Sequence, residues 1–160
     1  MPVLPSKLWK DMTPATRLTA ADAFWRDDQG GDQQVEAIVF LARRMNFRPK
    51  ALQSLPIERR AKMLAQVGDI PDTVATRALI AYHFATQRPL MAAFLDALGI
   101  THEDGLIAAE DLPAPEPEKL KTAIQAIRAS FPADDVERYL HTLVTLDGET
   151  WAGLEAASGT

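Results

Sequence analysis

Four residues in one short span could carry chemistry: Tyr82, His83, Gln87 and Arg88. An imidazole titrates near neutral pH and can act as general acid or base. A guanidinium pairs with carboxylates and phosphates. Thr76, His83 and Gln87 recur at i, i+7 and i+11, on one narrow polar line of a helix expected over 72–87. Such a line could border a pocket for an anionic ligand, with Tyr82 adding a hydroxyl and Arg88 a charge. The plainer reading is a core histidine satisfied by hydrogen bonds, or a strip facing solvent.

Little else has the spacing of a reaction centre. His102 follows Thr101 and precedes Glu103, and is expected in the first turn of a helix. His141 lies beside an apolar stripe and is expected to be partly exposed. Zinc sites need spaced ligands such as HExxH or several histidines on one face, and the sequence has neither. It has no cysteine, which excludes disulfides, thiolate metal sites and cysteine nucleophiles. There is no Gly-rich phosphate loop, no GxSxG and no Asp-x-Asp-x-Asp-Gly calcium spacing. Neither cofactor nor metal is expected, and a binding protein is expected over an enzyme.

Charge is the stronger signal. Arg43, Arg44, Arg48, Lys50, Arg59, Arg60 and Lys62 fall within 20 residues, with Glu58 the one acid among them. A helix, a turn and a short helix there could imitate a helix-turn-helix and set cations against phosphates. The competing reading is a solvated charged face. An opposite cluster follows at Glu103, Asp104, Glu110 and Asp111, and continues to Glu116 and Glu118. Residues 1–90 hold 13 Lys and Arg against 9 Asp and Glu, while residues 91–160 hold 4 against 13. The net charge of −5 and a sequence pI near 5.2 weigh against a nucleic-acid binder.

These residues need elements to position them, and the periodicity is helical nearly throughout. Val35, Ile38, Val39, Ala42 and Met45 form one apolar stripe; Leu120, Ala123, Ile124 and Ile127 form another, and Val136, Tyr139, Leu140, Leu143 and Leu146 a third. Proline marks several starts, as in Thr13-Pro14, where a threonine cap precedes a proline at the first helical position. The spacing predicts helices over about 14–27, 33–45, 49–54, 57–67, 72–87, 89–98, 102–109, 117–129, 133–146 and 149–157. Residues 111–118, acidic and proline-rich, read as an extended surface loop. No alternating run suggests a strand.

Two segments share an apolar frame. Phe40-Leu41, Leu52 and Leu55-Pro56 are echoed by Phe94-Leu95, Leu106 and Leu112-Pro113. The frame suggests an internal repeat over 13–67 and 70–129, with 131–157 as a C-terminal cap. Tetratricopeptide, ankyrin and leucine-rich signatures are absent. Trp25, beside Phe24, is expected in the core, and Trp151 at an interface.

The length of 160 residues and hydrophobic fraction of 47% suit one all-α domain, a compact multi-helix bundle. The start MPVLPSKLWKDMTP is not that of a signal peptide, and the most apolar stretch, 74–98, is broken by Arg77, His83, Gln87, Arg88, Pro89 and Asp96. A soluble, cytoplasmic protein without a membrane partner is expected. The function expected first is an interaction module that binds a protein partner or itself through oppositely charged faces. The alternatives are nucleic-acid binding through 43–62, and a small-molecule site or enzyme around His83 and Arg88.

Overall fold

The computed structural model describes residues 3–109 and 111–154. The fold is all-α. The described chain runs through α1 (Pro5–Asp11), α2 (Pro14–Arg26), α3 (Gly31–Met45), α4 (Pro49–Gln53), α5 (Ile57–Ala65), α6 (Asp72–Thr86), α7 (Arg88–Leu98), β1 (His102–Glu103), β2 (Leu106–Ile107), α8 (Pro117–Ser130) and α9 (Ala133–Leu146). It divides into two compact units, Leu4–Ala85 and Thr86–Thr160, the latter joined by Met1–Val3. None of the described helices is long and apolar enough to cross a membrane.

In the first unit, α2 opens as its sequence dictates. Pro14 sits in the first turn, and the Thr13 hydroxyl accepts from the Thr16 amide at 3.1 Å. The helix packs along α5, burying Ala20, Ala21 and Phe24 on one side and Ala61, Leu64 and Ala65 on the other. Small alanines let the two axes approach closely. Helix α1, which the periodicity does not announce, is tied down by Trp9. Its ring is fully buried and its indole N–H donates to the Val67 carbonyl at 2.8 Å. Truncating a ring so placed typically costs about 3–5 kcal/mol.

The turn between α2 and α3 is a polar knot. The Arg77 Nε donates to Asp27 Oδ2 at 2.7 Å, and the Gln29 amide donates to Asp27 Oδ1 at 3.0 Å. The Gln34 side-chain amide donates to the Phe24 and Asp27 carbonyls at 2.9 and 2.7 Å. The same two carbonyls accept longer bonds from the Asp27 and Gly30 amides, at 3.4 and 3.3 Å, so Gln34 reinforces the end of α2.

Helix α3 buries Ile38 and Ala42 of the expected stripe but not Val35 and Val39. Ala37, Ile38, Leu41 and Ala42 face the core, Met45 is half-buried, and Val35 and Val39 are 57% and 38% exposed. The buried face therefore runs through 37/38 and 41/42. Val35 and Val39 lie on the outer flank.

In the second unit, α7 packs against α8, and α8 against α9. Phe94 stands at the centre. It meets the Tyr139 ring edge-on at 5.6 Å and the Trp151 ring at 5.9 Å. Trp151 is therefore a core residue, against the expectation of an interface. The expected helix over 149–157 is a turn at 148–152 followed by a short helical piece; residues 155–157 lie outside the described part.

Residues 102–109 also differ from the expectation. An antiparallel ribbon replaces the expected helix, with His102 opposite Ile107 and Glu103 opposite Leu106. Asp104 and Gly105 take φ of 50° and 93°, the pair of positive values a type I′ turn demands. The echoed frame follows this difference. Leu41 and Leu95 are both buried, but Phe94 is buried where Phe40 is half-exposed, and Leu52 is buried where Leu106 is 54% exposed.

Candidate functional site

Of the polar line Thr76, His83 and Gln87, His83 is buried and the other two are half-buried. His83 is 3% exposed, and its Nδ1 lies 2.7 Å from the Leu79 carbonyl oxygen. A carbonyl only accepts, so Nδ1 carries the proton. The ring of Tyr82 meets that of His83 edge-on at 5.3 Å. His83 is thus a packed core histidine bonded to its own helix. Tyr82 and His83 belong to the first unit, Gln87 and Arg88 to the second. Arg88 is exposed and donates from Nη1 to the Asp104 carbonyl at 3.0 Å, a brace for the ribbon turn.

The basic residues divide into two kinds. Arg43, Arg44, Arg48, Lys50, Arg59 and Lys62 are exposed. None of these six joins an ion pair among the described residues. Arg60 is different. It is half-buried, with its guanidinium carbon 5.1 Å from the centre of the Trp25 ring. It serves the packing of α5 on α2 and leaves the basic face. Helix α4, which a helix-turn-helix would need as its reader, has five residues and buries Leu52.

Arg43 and Arg44 close the outer face of α3. With Glu36, Val39, Phe40 and Pro71 they line an open groove of about 670 Å³. Val35 precedes Val39 by one turn, and Phe47, just past the helix, is 50% exposed. Asn46 ends α3 in the left-handed conformation with φ of 59°, which turns the chain there. The one acid in the groove, Glu36, accepts from the Thr73 hydroxyl at 2.6 and 2.7 Å. The result is an apolar strip ending in two cations that join no ion pair among the described residues, with one carboxylate, Glu36, in the same groove. The cations are legible in the sequence, whereas the apolar stripe through Val35 and Val39 does not coincide with the buried face. The signal that separates the faces is that Ala37, Ile38, Leu41 and Ala42 form an equally regular stripe.

The acidic residues have their own frame. Glu103, Asp104 and Asp111 are exposed, and Glu110 lies outside the described residues. The ribbon carrying Glu103 and Asp104 is held from several sides. His102 Nε2 lies 2.7 Å from Asp96 Oδ1, and the Gly105 amide donates to His102 Nδ1 at 3.0 Å. With Nδ1 accepting, the proton of the neutral ring sits on Nε2 and points at the carboxylate. Gly105 is buried against Met91. What remains outward is Glu103, Asp104 and Leu106: two acids and one exposed leucine.

No group of three or more His, Cys, Asp or Glu side chains suited to a metal occurs among the described residues. Of the grouped titratable side chains, Asp27 is perturbed. Burial pushes its carboxyl up, but the Arg77 hydrogen bond, the Gln29 amide and the Arg77 charge together hold it below the usual carboxylate range. That pair is structural, linking the α2–α3 turn to α6. Comparison with protein-family models, with curated proteins and with solved structures finds no match for the chain.

Proposed function

We propose that this protein is a non-enzymatic interaction module that docks an acidic protein segment on the outer face of α3. The observation that carries the reading is the groove in which exposed Val39 and half-buried Phe40 end at Arg43 and Arg44. Exposed apolar surface rimmed by charge is what a partner can desolvate and orient. The apolar strip supplies contact area, and the two arginines select carboxylates by paired N–H donors. A matching segment carries an apolar side chain next to one or two acids. Nothing in the groove offers a nucleophile or an acid–base pair, so the reading is recognition and not turnover.

Titration with three labelled probes tests it: an acidic peptide bearing a leucine, the same peptide with lysines for the acids, and a short DNA duplex. The acidic peptide is expected to bind, more weakly at high salt, and to be lost on Val39→Glu/Arg43→Glu. The lysine peptide is expected not to bind. Binding of the duplex alone, falling steeply with salt, would replace this reading with nucleic-acid binding. Binding of none of the three would end it.

A further inference from the structure

We infer that the occupant of the α3 groove is the acidic ribbon of a second copy of this chain, an inference that rests on the docking role of α3. Two exposed features of the chain are complementary in chemistry. The groove offers Val39 and Phe40 beside Arg43 and Arg44. The ribbon offers Leu106 beside Glu103 and Asp104. Each surface has an unusual exposed apolar group, with Val39 38% and Leu106 54% exposed. Each also has charges left without an ion-pair partner among the described residues, of opposite sign on the two surfaces.

The ribbon is built as a ligand should be. A tight type I′ turn presents few side chains, and they are preorganised by bonds from the unit's own framework. Arg88 holds the Asp104 carbonyl, His102 holds the Gly105 amide, and Asp96 holds His102. The turn therefore loses little freedom on docking. Leu106 enters the apolar strip, and the carboxylates of Glu103 and Asp104 meet the guanidinium groups of Arg43 and Arg44. Because the two surfaces are different patches, one contact joins the groove of one copy to the ribbon of another.

Sedimentation velocity over a range of concentrations tests this with two complementary variants. Val39→Glu/Arg43→Glu removes the groove, and Glu103→Lys/Leu106→Lys removes the ribbon. All four positions are exposed, so the core is untouched. The unmodified protein is expected to self-associate at low salt and to dissociate at high salt. Each variant alone is expected to lose association about tenfold or more. Mixed, the two are expected to form a 1:1 complex, because one retains the ribbon and the other the groove. A misfolded variant could not restore the complex, so the mixture also controls for folding. A monomer at every concentration, or a mixture that does not pair, overturns the inference. If the acidic peptide still binds the groove in that case, the docking role of α3 stands and its partner is another protein. If neither binds, both fall.

Discussion

Gly105 lies so close to Met91 that a β-carbon added to it would stand 2.8 Å from the Met91 Cβ. Its φ of 93° is also one that side chains with a β-carbon rarely adopt. Contact and backbone both require glycine where the ribbon turn packs on Met91 of α7. Gly105→Ala is therefore expected to cost about 1–3 kcal/mol, combining backbone strain with a displaced Met91. Chemical denaturation followed by circular dichroism measures the loss. The same change at Gly31, where an added β-carbon meets nothing within 4 Å, is expected to be neutral or slightly stabilising.

The ribbon also depends on the ring state of His102. Gly105 donates to Nδ1 while Nε2 faces Asp96, so the neutral ring is expected as the Nε2–H tautomer. Nitrogen NMR of labelled histidine distinguishes the two ring nitrogens directly. His102→Ala is expected to speed hydrogen exchange at the Gly105 amide, which loses its acceptor. Unchanged exchange would mean that the ribbon stands without the histidine.

Most of the helical fold is legible in the chain, and particular residues explain where it is not. Thr13-Pro14 and Gly99 announce helix ends, and the structure uses both, with Gly99 closing α7 at φ of 72°. The ribbon was missed because Thr101-His102-Glu103-Asp104 resembles a helix start, yet Asp104-Gly105 is itself a hairpin signal. A pair of local preferences conflicted, and the turn prevailed because only glycine fits against Met91. On α3 two apolar stripes share Ile38 and Ala42, and tertiary packing, not local pattern, decides that Ala37 and Leu41 complete the buried face while Val35 and Val39 do not. Trp151 reaches Phe94 across 57 positions of sequence, a contact no local pattern encodes.

Neighbouring arginines on α5 are expected to behave differently. Arg60 lies over Trp25, and its Nε is buried with no hydrogen-bond partner among the described residues, so its contribution comes through the ring and its alkyl stem. Arg60→Ala is expected to cost about 1–2 kcal/mol. Arg59→Ala, at an exposed position, is expected to change stability by about 0.5 kcal/mol or less. Parallel urea titrations of the two variants test the contrast.

The Asp27–Arg77 pair sets an acid limit on the first unit. Its carboxyl is held below the ordinary value in the folded state, so the unfolded chain binds that proton more readily. The stabilisation is fully present above the unfolded value of about 3.9 and is lost as pH falls through the lower, folded value. Asp27→Asn is expected to lose about 2 kcal/mol at neutral pH, the scale of a hydrogen bond to a charged group. The gap between the two proteins is expected to close as pH falls below about 4. Thermal melts across that range give the curve.

The measurement that most directly tests α3 as a docking face is methyl NMR of the unmodified protein at rising concentration and low salt. The methyls of Val35, Val39 and Leu106 are expected to shift together along one binding curve, while those of buried Ile38 and Leu41 stay in place. High salt is expected to return the shifted signals to their dilute positions. Methyls that stay fixed at every concentration, and that do not move when the acidic peptide is added, would contradict both the docking face and its partner.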